Sequence, residues 1–147
     1  MTGLHSTSRR KRESQGSVIV ESALTFIVFF GMIVGAFDFG QFLFVHQALV
    51  ERTRSAARWG AVNDPTDSAS ITNMLLYNQA GAQPNGTATY MNVTAANVSV
   101  TNSGSGTDQY RLNIQVSGYS YTVLSFFIAG NFTGLPISVS VPLGLYN

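Results

Sequence analysis

The sequence predicts an α+β protein in which one long N-terminal helix, about residues 17–61, leads into a small domain with a short helix and a three- to four-stranded antiparallel sheet. Three observations carry this expectation. After Glu21 an apolar run continues to Val45 with Asp38 as its one charged residue, and a run of that length reads as a membrane-spanning helix. Ile71, Met74, Leu75 and Asn78 repeat at helical spacing. From Val98 onward the apolar positions alternate with polar ones instead, which is the period of a strand.

The totals narrow the function. Of 147 residues, eight are basic and seven acidic, giving a net charge of +1, but the charges are unevenly placed. Arg9, Arg10, Lys11 and Arg12 precede the apolar run, Arg52, Arg54 and Arg58 follow it, and beyond Gly60 only Arg111 is basic. A C-terminal half so poor in cations argues against nucleic acid, which requires several phosphate-neutralising side chains on one surface. Without cysteine there is no disulfide, thiolate nucleophile or cysteine metal site. Lys11 is the one lysine, and His5 and His46 fall in the leader and on the long helix. No Ser/His/Asp set is proposed by spacing, so neither an enzyme nor a cofactor or metal is expected.

Residues 1–16 form a basic leader, polar and without hydrophobic periodicity, expected to lie disordered in the cytoplasm. From Val18 to Phe37 the chain is long enough to cross a hydrocarbon core of ~30 Å as a helix rising ~1.5 Å per residue. The Arg9–Arg12 cluster places the N-terminal end inside by the positive-inside rule, with the domain of residues 62–147 outside, although Arg52, Arg54 and Arg58 oppose that assignment. A secretory signal cut near Val34-Gly35-Ala36 is the weaker reading. It explains neither Glu21 nor the apolar residues from Phe39 to Val45. Cleavage between Gly16 and Ser17 would instead leave the helix attached.

A basic leader ending in glycine, with glutamate fifth after it, Gly16-Ser-Val-Ile-Val-Glu21, resembles the processing site of type IV prepilins and pseudopilins. The wider pattern resembles the TadE-like proteins of the bacterial tight-adherence (Flp) pilus system. It comprises Val20-Glu21-x-Ala23-Leu24, then Phe37-Asp38-Phe39-Gly40, then Ala56-Ala57-Arg58-Trp59-Gly60-Ala61. The resemblance spans about residues 9–61. Ser17 and Ser22 depart from the aromatic residues that many prepilins carry at the first mature position and after the glutamate.

Glu21 has a physical meaning beside that likeness. An ionisable residue in a membrane span is costly and a functional suspect. Were Ser17 freed by cleavage, its α-amino group, with a reference pKa near ~8, would supply a counter-ion. One helical turn separates the two, so the pair closes within a subunit or between stacked subunits, and only the second drives assembly. As an uncleaved residue, Glu21 reads simply as an acidic group near the membrane interface.

Gly31, Gly35, Asp38, Phe42, Val45, Leu49, Thr53, Ala56 and Gly60 follow spacings of three and four and define a packing seam. Gln47, Glu51, Arg54 and Arg58 form the opposite, polar stripe. A seam of that length implies a helix of roughly 67 Å, less than half of it in lipid. Asp38 lies on the seam, which leaves two readings: an interfacial residue marking the outer edge of the span, or a buried group whose partner lies on another subunit.

Pro65 disfavours helix before it, and Asp67 is placed to cap a second helix that ends near Gly81 and Pro84-Asn85-Gly86. Val98 and Val100, a turn over 103–108, and Tyr110, Leu112, Ile114 and Val116 read as a hairpin. Tyr119, Tyr121 and Val123 are expected to extend its second strand, and Ile137, Val139 and Val141 to form a third before Pro142. Leu124–Ala129 is apolar and best read as core, since six residues cannot span a bilayer; a second membrane contact and an interaction patch are the alternatives. Sequons at Asn85, Asn92, Asn97 and Asn131 reflect a composition rich in Asn, Ser and Thr.

These features and the resemblance together predict a non-catalytic minor pilin or pseudopilin, single-pass in the bacterial inner membrane, with incorporation into a pilus or at its tip as a further expectation. Its expected partners are other pilins or pseudopilins, membrane assembly proteins, a prepilin peptidase and the lipid bilayer, with oligomerisation through the N-terminal helix. An unprocessed single-pass component of the assembly or secretion machinery is the alternative. A periplasmic enzyme or ligand-binding module on a signal anchor is disfavoured because the domain has no clustered titratable groups.

Overall fold

A computed structural model describes residues 7–83, 87–123 and 130–144, with side chains from Gly16 onward. Helix α1 runs unbroken over Thr7–Val62 and α2 over Ser68–Tyr77. The strands are β1 (Val98–Ser103), β2 (Arg111–Val116), β3 (Ser120–Thr122), β4 (Asn131–Thr133) and β5 (Ile137–Pro142). The fold is thus α+β, with a three-stranded antiparallel sheet in the order β1-β2-β5 and a separate two-stranded sheet, β3-β4.

The helix begins ten residues before the expected start at Ser17, so residues 7–16 are helical and not irregular. Arg9 to Gln15 consists largely of Arg, Lys, Glu and Gln, straight-chain residues with good helix propensity, and no proline separates them from the apolar run. Polarity without periodicity therefore fails to mark a break. At the other end α1 stops at Val62. Asp64 accepts bonds from the Thr66 hydroxyl (2.7 Å) and amide (2.8 Å), closing a turn whose hydrogen bonds hold the Asp64 carboxyl below its ordinary pKa. Asp67 then caps α2, accepting from the Ser70 amide at 3.0 Å. Asn78, left-handed at φ 62°, ends α2, its N–H donating to the Met74 carbonyl.

β2 is the central strand, and its alternation is complete: Leu112, Ile114 and Val116 are buried while Arg111 and Gln115 face solvent. Its inner face meets α1, and α2 packs on α1 and β1. Leu49, Ala56 and Ala57 of α1, Ile71, Leu75 and Leu76 of α2, and Ile137 of β5 complete one core with Val93, Tyr119 and Leu143. Every side chain in that set is at least nine-tenths buried. The β1–β2 turn needs Gly104 at φ 69°, where a Cβ would sit 2.5 Å from the Gln109 carbonyl oxygen.

The second strand of the hairpin does not extend through Tyr121. It ends at Val116, and Gly118, at φ 69°, turns the chain away. Reciprocal bonds from Ser117 N to the Asn97 carbonyl (2.9 Å) and from Asn97 Nδ2 to the Ser117 carbonyl (3.0 Å) close the ladder there. Ser120–Thr122 then pairs with Asn131–Thr133, a partner strand the alternation had not revealed because it is three residues long. The Leu124–Ala129 run and the Pro84-Asn85-Gly86 loop lie outside the described residues.

Candidate assembly surface on the long helix

α1 has two unlike halves. From Leu49 to Gly60 the seam is closed by the chain's own domain: Leu49, Thr53 and Ala56 are fully buried, and Gly60 is buried with them. An added Cβ at Gly60 would meet Ile71 Cδ1 at 2.7 Å and Leu112 Cδ2 at 3.0 Å, so glycine is what lets α1 approach α2 and β2 this closely. The Thr53 hydroxyl is satisfied by donating to the Leu49 carbonyl at 2.8 Å. The opposite stripe, Gln47, Glu51, Arg54 and Arg58, is exposed as its polarity requires, with Arg54 bonding Glu51 at 2.7 Å across one turn. That part of the seam is an intramolecular core.

Below Asp38 the helix is bare. Val18, Ile19, Val20, Leu24, Phe26, Ile27, Val28, Phe29, Phe30, Met32 and Phe37 are exposed around its circumference. This is the one helix among the described residues long and apolar enough to cross a membrane, and none of its most apolar 18-residue window is buried in the fold. Apolar side chains displayed on all sides suit a lipid solvent. Gly31 and Gly35 sit here with nothing within 4 Å of an added Cβ.

Gly16 and Ser17 lie in continuous helix at the lower end, both exposed. Glu21 is exposed one turn above and lines a shallow groove with Val18, Ser22, Thr25 and Phe29. The Thr25 hydroxyl donates to the Glu21 main-chain carbonyl at 2.9 Å. Glu21, Ser22 and Thr25 thus form a short polar step on an otherwise apolar surface. Arg9, Arg10, Lys11 and Arg12 fall within the first turns of α1.

Asp38, Phe42 and Val45 mark the junction. Asp38 is only 9% exposed within the single chain, so its cover does not require a second subunit. Phe42 packs at a tilt against Tyr121 with ring centroids 5.1 Å apart, and Tyr121 likewise against Phe132 at 5.9 Å. His46 Nδ1 lies 2.9 Å from the Tyr119 hydroxyl, which donates to it when the imidazole proton is on Nε2. Burial, and secondarily charge on Tyr121, raises the Tyr119 pKa above its ordinary value. Strand alternation alone places Tyr119 and Tyr121 in the main sheet, whereas the fold turns them onto α1 beside His46 and Phe42. The Tyr-x-Tyr spacing was the available signal.

Among the described residues no three His, Cys, Asp or Glu side chains gather where a metal ion would bind. The architecture, one bare apolar helix continuous with a small α+β domain, fits a single-pass membrane protein. Residues 16–58 match the model of the family described as TadE-like protein. The match covers the span, the junction and most of the buried upper half. No curated protein and no solved structure matches the chain.

Proposed function

We propose that this protein is a minor pilin or pseudopilin of a tight-adherence (Flp, type IVb) pilus, processed between Gly16 and Ser17 and assembled through the lower half of α1, without catalysis of its own. The observation that carries the reading is the bare lower helix with Glu21 exposed near its end, inside the segment that matches TadE-like proteins. A carboxylate facing lipid is stable only with a counter-ion or near the headgroups. The amine released at Ser17 of a neighbouring subunit supplies that counter-ion, and Gly31 and Gly35 leave room for the neighbour's helix. The protein resides in the inner membrane with its N-terminus cytoplasmic, where the peptidase and the assembly proteins meet it.

The second reading, an unprocessed single-pass component of the assembly machinery, draws support from the helix that runs unbroken through the Gly16–Ser17 bond. Peptide bonds in regular helix are poorer protease sites than those in exposed loops. Mass spectrometry of the native N-terminus separates the two. A chain starting at Ser17 is the expected result, and one retaining Arg9–Arg12 overturns processing in favour of the static component.

A further inference from the structure

We propose that the β3–β4 hairpin is a second membrane contact, seating the domain directly on the outer face of the bilayer with Phe42, Tyr121 and Phe132 at the lipid interface. The direction of the hairpin carries this. Tyr119, just before β3, meets His46 and Tyr121 within it meets Phe42, so two residues of extended chain correspond to four residues down α1. Two strand residues cover ~6.6 Å and four helix residues ~6 Å. β3 therefore runs nearly parallel to the axis of α1, toward the bare apolar half. β4 returns beside it, with Phe132 against Tyr121, and Ile137 at the start of β5 has climbed back to the groove lined by His46 and Val50.

The hairpin's last paired residues, Thr122 and Asn131, thus lie on the membrane side of Phe42. Phe42 is five residues above Phe37, about 7.5 Å along the helix, which is headgroup depth if Val18–Phe37 fills the hydrocarbon.

Charge distribution along α1 points to the same occupant. From Leu112 to Asn147 the sequence contains no Asp, Glu, Lys, Arg or His. The charged residues of the domain are Glu51, Arg52, Arg54, Arg58, Asp64, Asp67, Asp108 and Arg111, and β2 runs with Leu112 beside Gly60 and Val116 paired to Ile137. All of them therefore stand at or above the level of Glu51, away from the bilayer. Between Glu21 and Phe42 the one ionisable group is Asp38, and it is already covered within the chain. The strands that descend toward lipid bring no further charge to the interface, and aromatic side chains are the residues enriched at that depth.

The absence of cysteine makes the test direct. Single spin labels are placed at Thr122→Cys and Asn131→Cys, both solvent-exposed in the chain, with Phe29→Cys as a lipid reference and Thr101→Cys as a water reference. The full chain is reconstituted in phosphatidylcholine–phosphatidylglycerol nanodiscs, and power saturation compares collisions with oxygen and with a water-soluble nickel chelate. The expected result is an excess of oxygen collisions at 122 and 131, toward the Phe29 value. Nickel accessibility equal to that of Thr101 at both sites overturns the proposal. So does exclusion of both reagents, which would mean that protein covers the hairpin. The inference rests on α1 spanning the bilayer, independently of processing. A water-exposed label at Phe29 would remove the span itself, whereas a lipid-exposed Phe29 with aqueous 122 and 131 removes the hairpin contact and leaves the span standing.

Discussion

Gly60 and Gly35 stand on the same stripe of the same helix, yet a methyl group added to Gly60 would meet Ile71 at 2.7 Å while one added to Gly35 meets nothing within 4 Å. The seam is continuous as a pattern and divided as a surface. Its upper part is consumed by the chain's own sheet and second helix. Its lower part is left uncovered by the chain's own fold. One helical stripe can therefore do two jobs when a domain covers only half its length, and periodicity cannot say where one ends and the other begins.

The sharpest way to break that contrast is to damage the covered half. Leu112 is fully buried between Gly60 and the rest of the core, and Leu112→Ala is expected to destabilise the domain by about 2–5 kcal/mol, the usual cost of a buried leucine's loss plus its cavity. Denaturant unfolding in mild detergent, followed by near-ultraviolet circular dichroism, measures it. Gly60→Ala should cost about 1–3 kcal/mol by overpacking, since the new methyl must displace Ile71 or push α1 outward. The same substitution at Gly35 should leave the unfolding curve of the domain unchanged. Equal effects at the two glycines would dissolve the distinction between the halves.

A smaller effect tests the junction. The Tyr119 phenol is held above its ordinary pKa, chiefly by burial. A proton bound more tightly in the folded state stabilises fully below the unfolded value of about 10, and that contribution is lost as pH rises through the higher folded value. Stability should therefore fall above about pH 10, and Tyr119→Phe should flatten that alkaline limb. Persistence of an unchanged limb would mean that other groups set it.

Much of this was legible from residue order because the periods are strong. The 3.6-residue stripe from Asp38 to Gly60, the Asp67 cap, and the alternation of Leu112, Ile114 and Val116 each have a local cause that the fold repeats. What could not be read was partnership. Leu49 and Gly35 look alike on a helical wheel, and only the tertiary contacts of β2 and β5 distinguish them. Tyr119 and Tyr121 alternate with polar neighbours as the β2 residues do, but one residue out of phase with Leu112, Ile114 and Val116, and that slip at Ser117-Gly118 is the sequence signal for the break that the Gly118 backbone angle makes plain. The helical Arg9–Gln15 stretch failed for the opposite reason, because a polar segment with high helix propensity carries no periodic signal of its own.

The central claim is that the bare half of α1 is where this protein meets other subunits. Oxidative cross-linking of full-length Gly31→Cys and Gly35→Cys in native membranes tests it most directly, with Arg54→Cys, on the exposed polar stripe, for comparison. Covalent dimers or mixed adducts at 31 and 35, and none at 54, are the predicted result. Cross-links confined to Arg54→Cys would contradict the claim and move the assembly surface from the membrane span to the projecting domain.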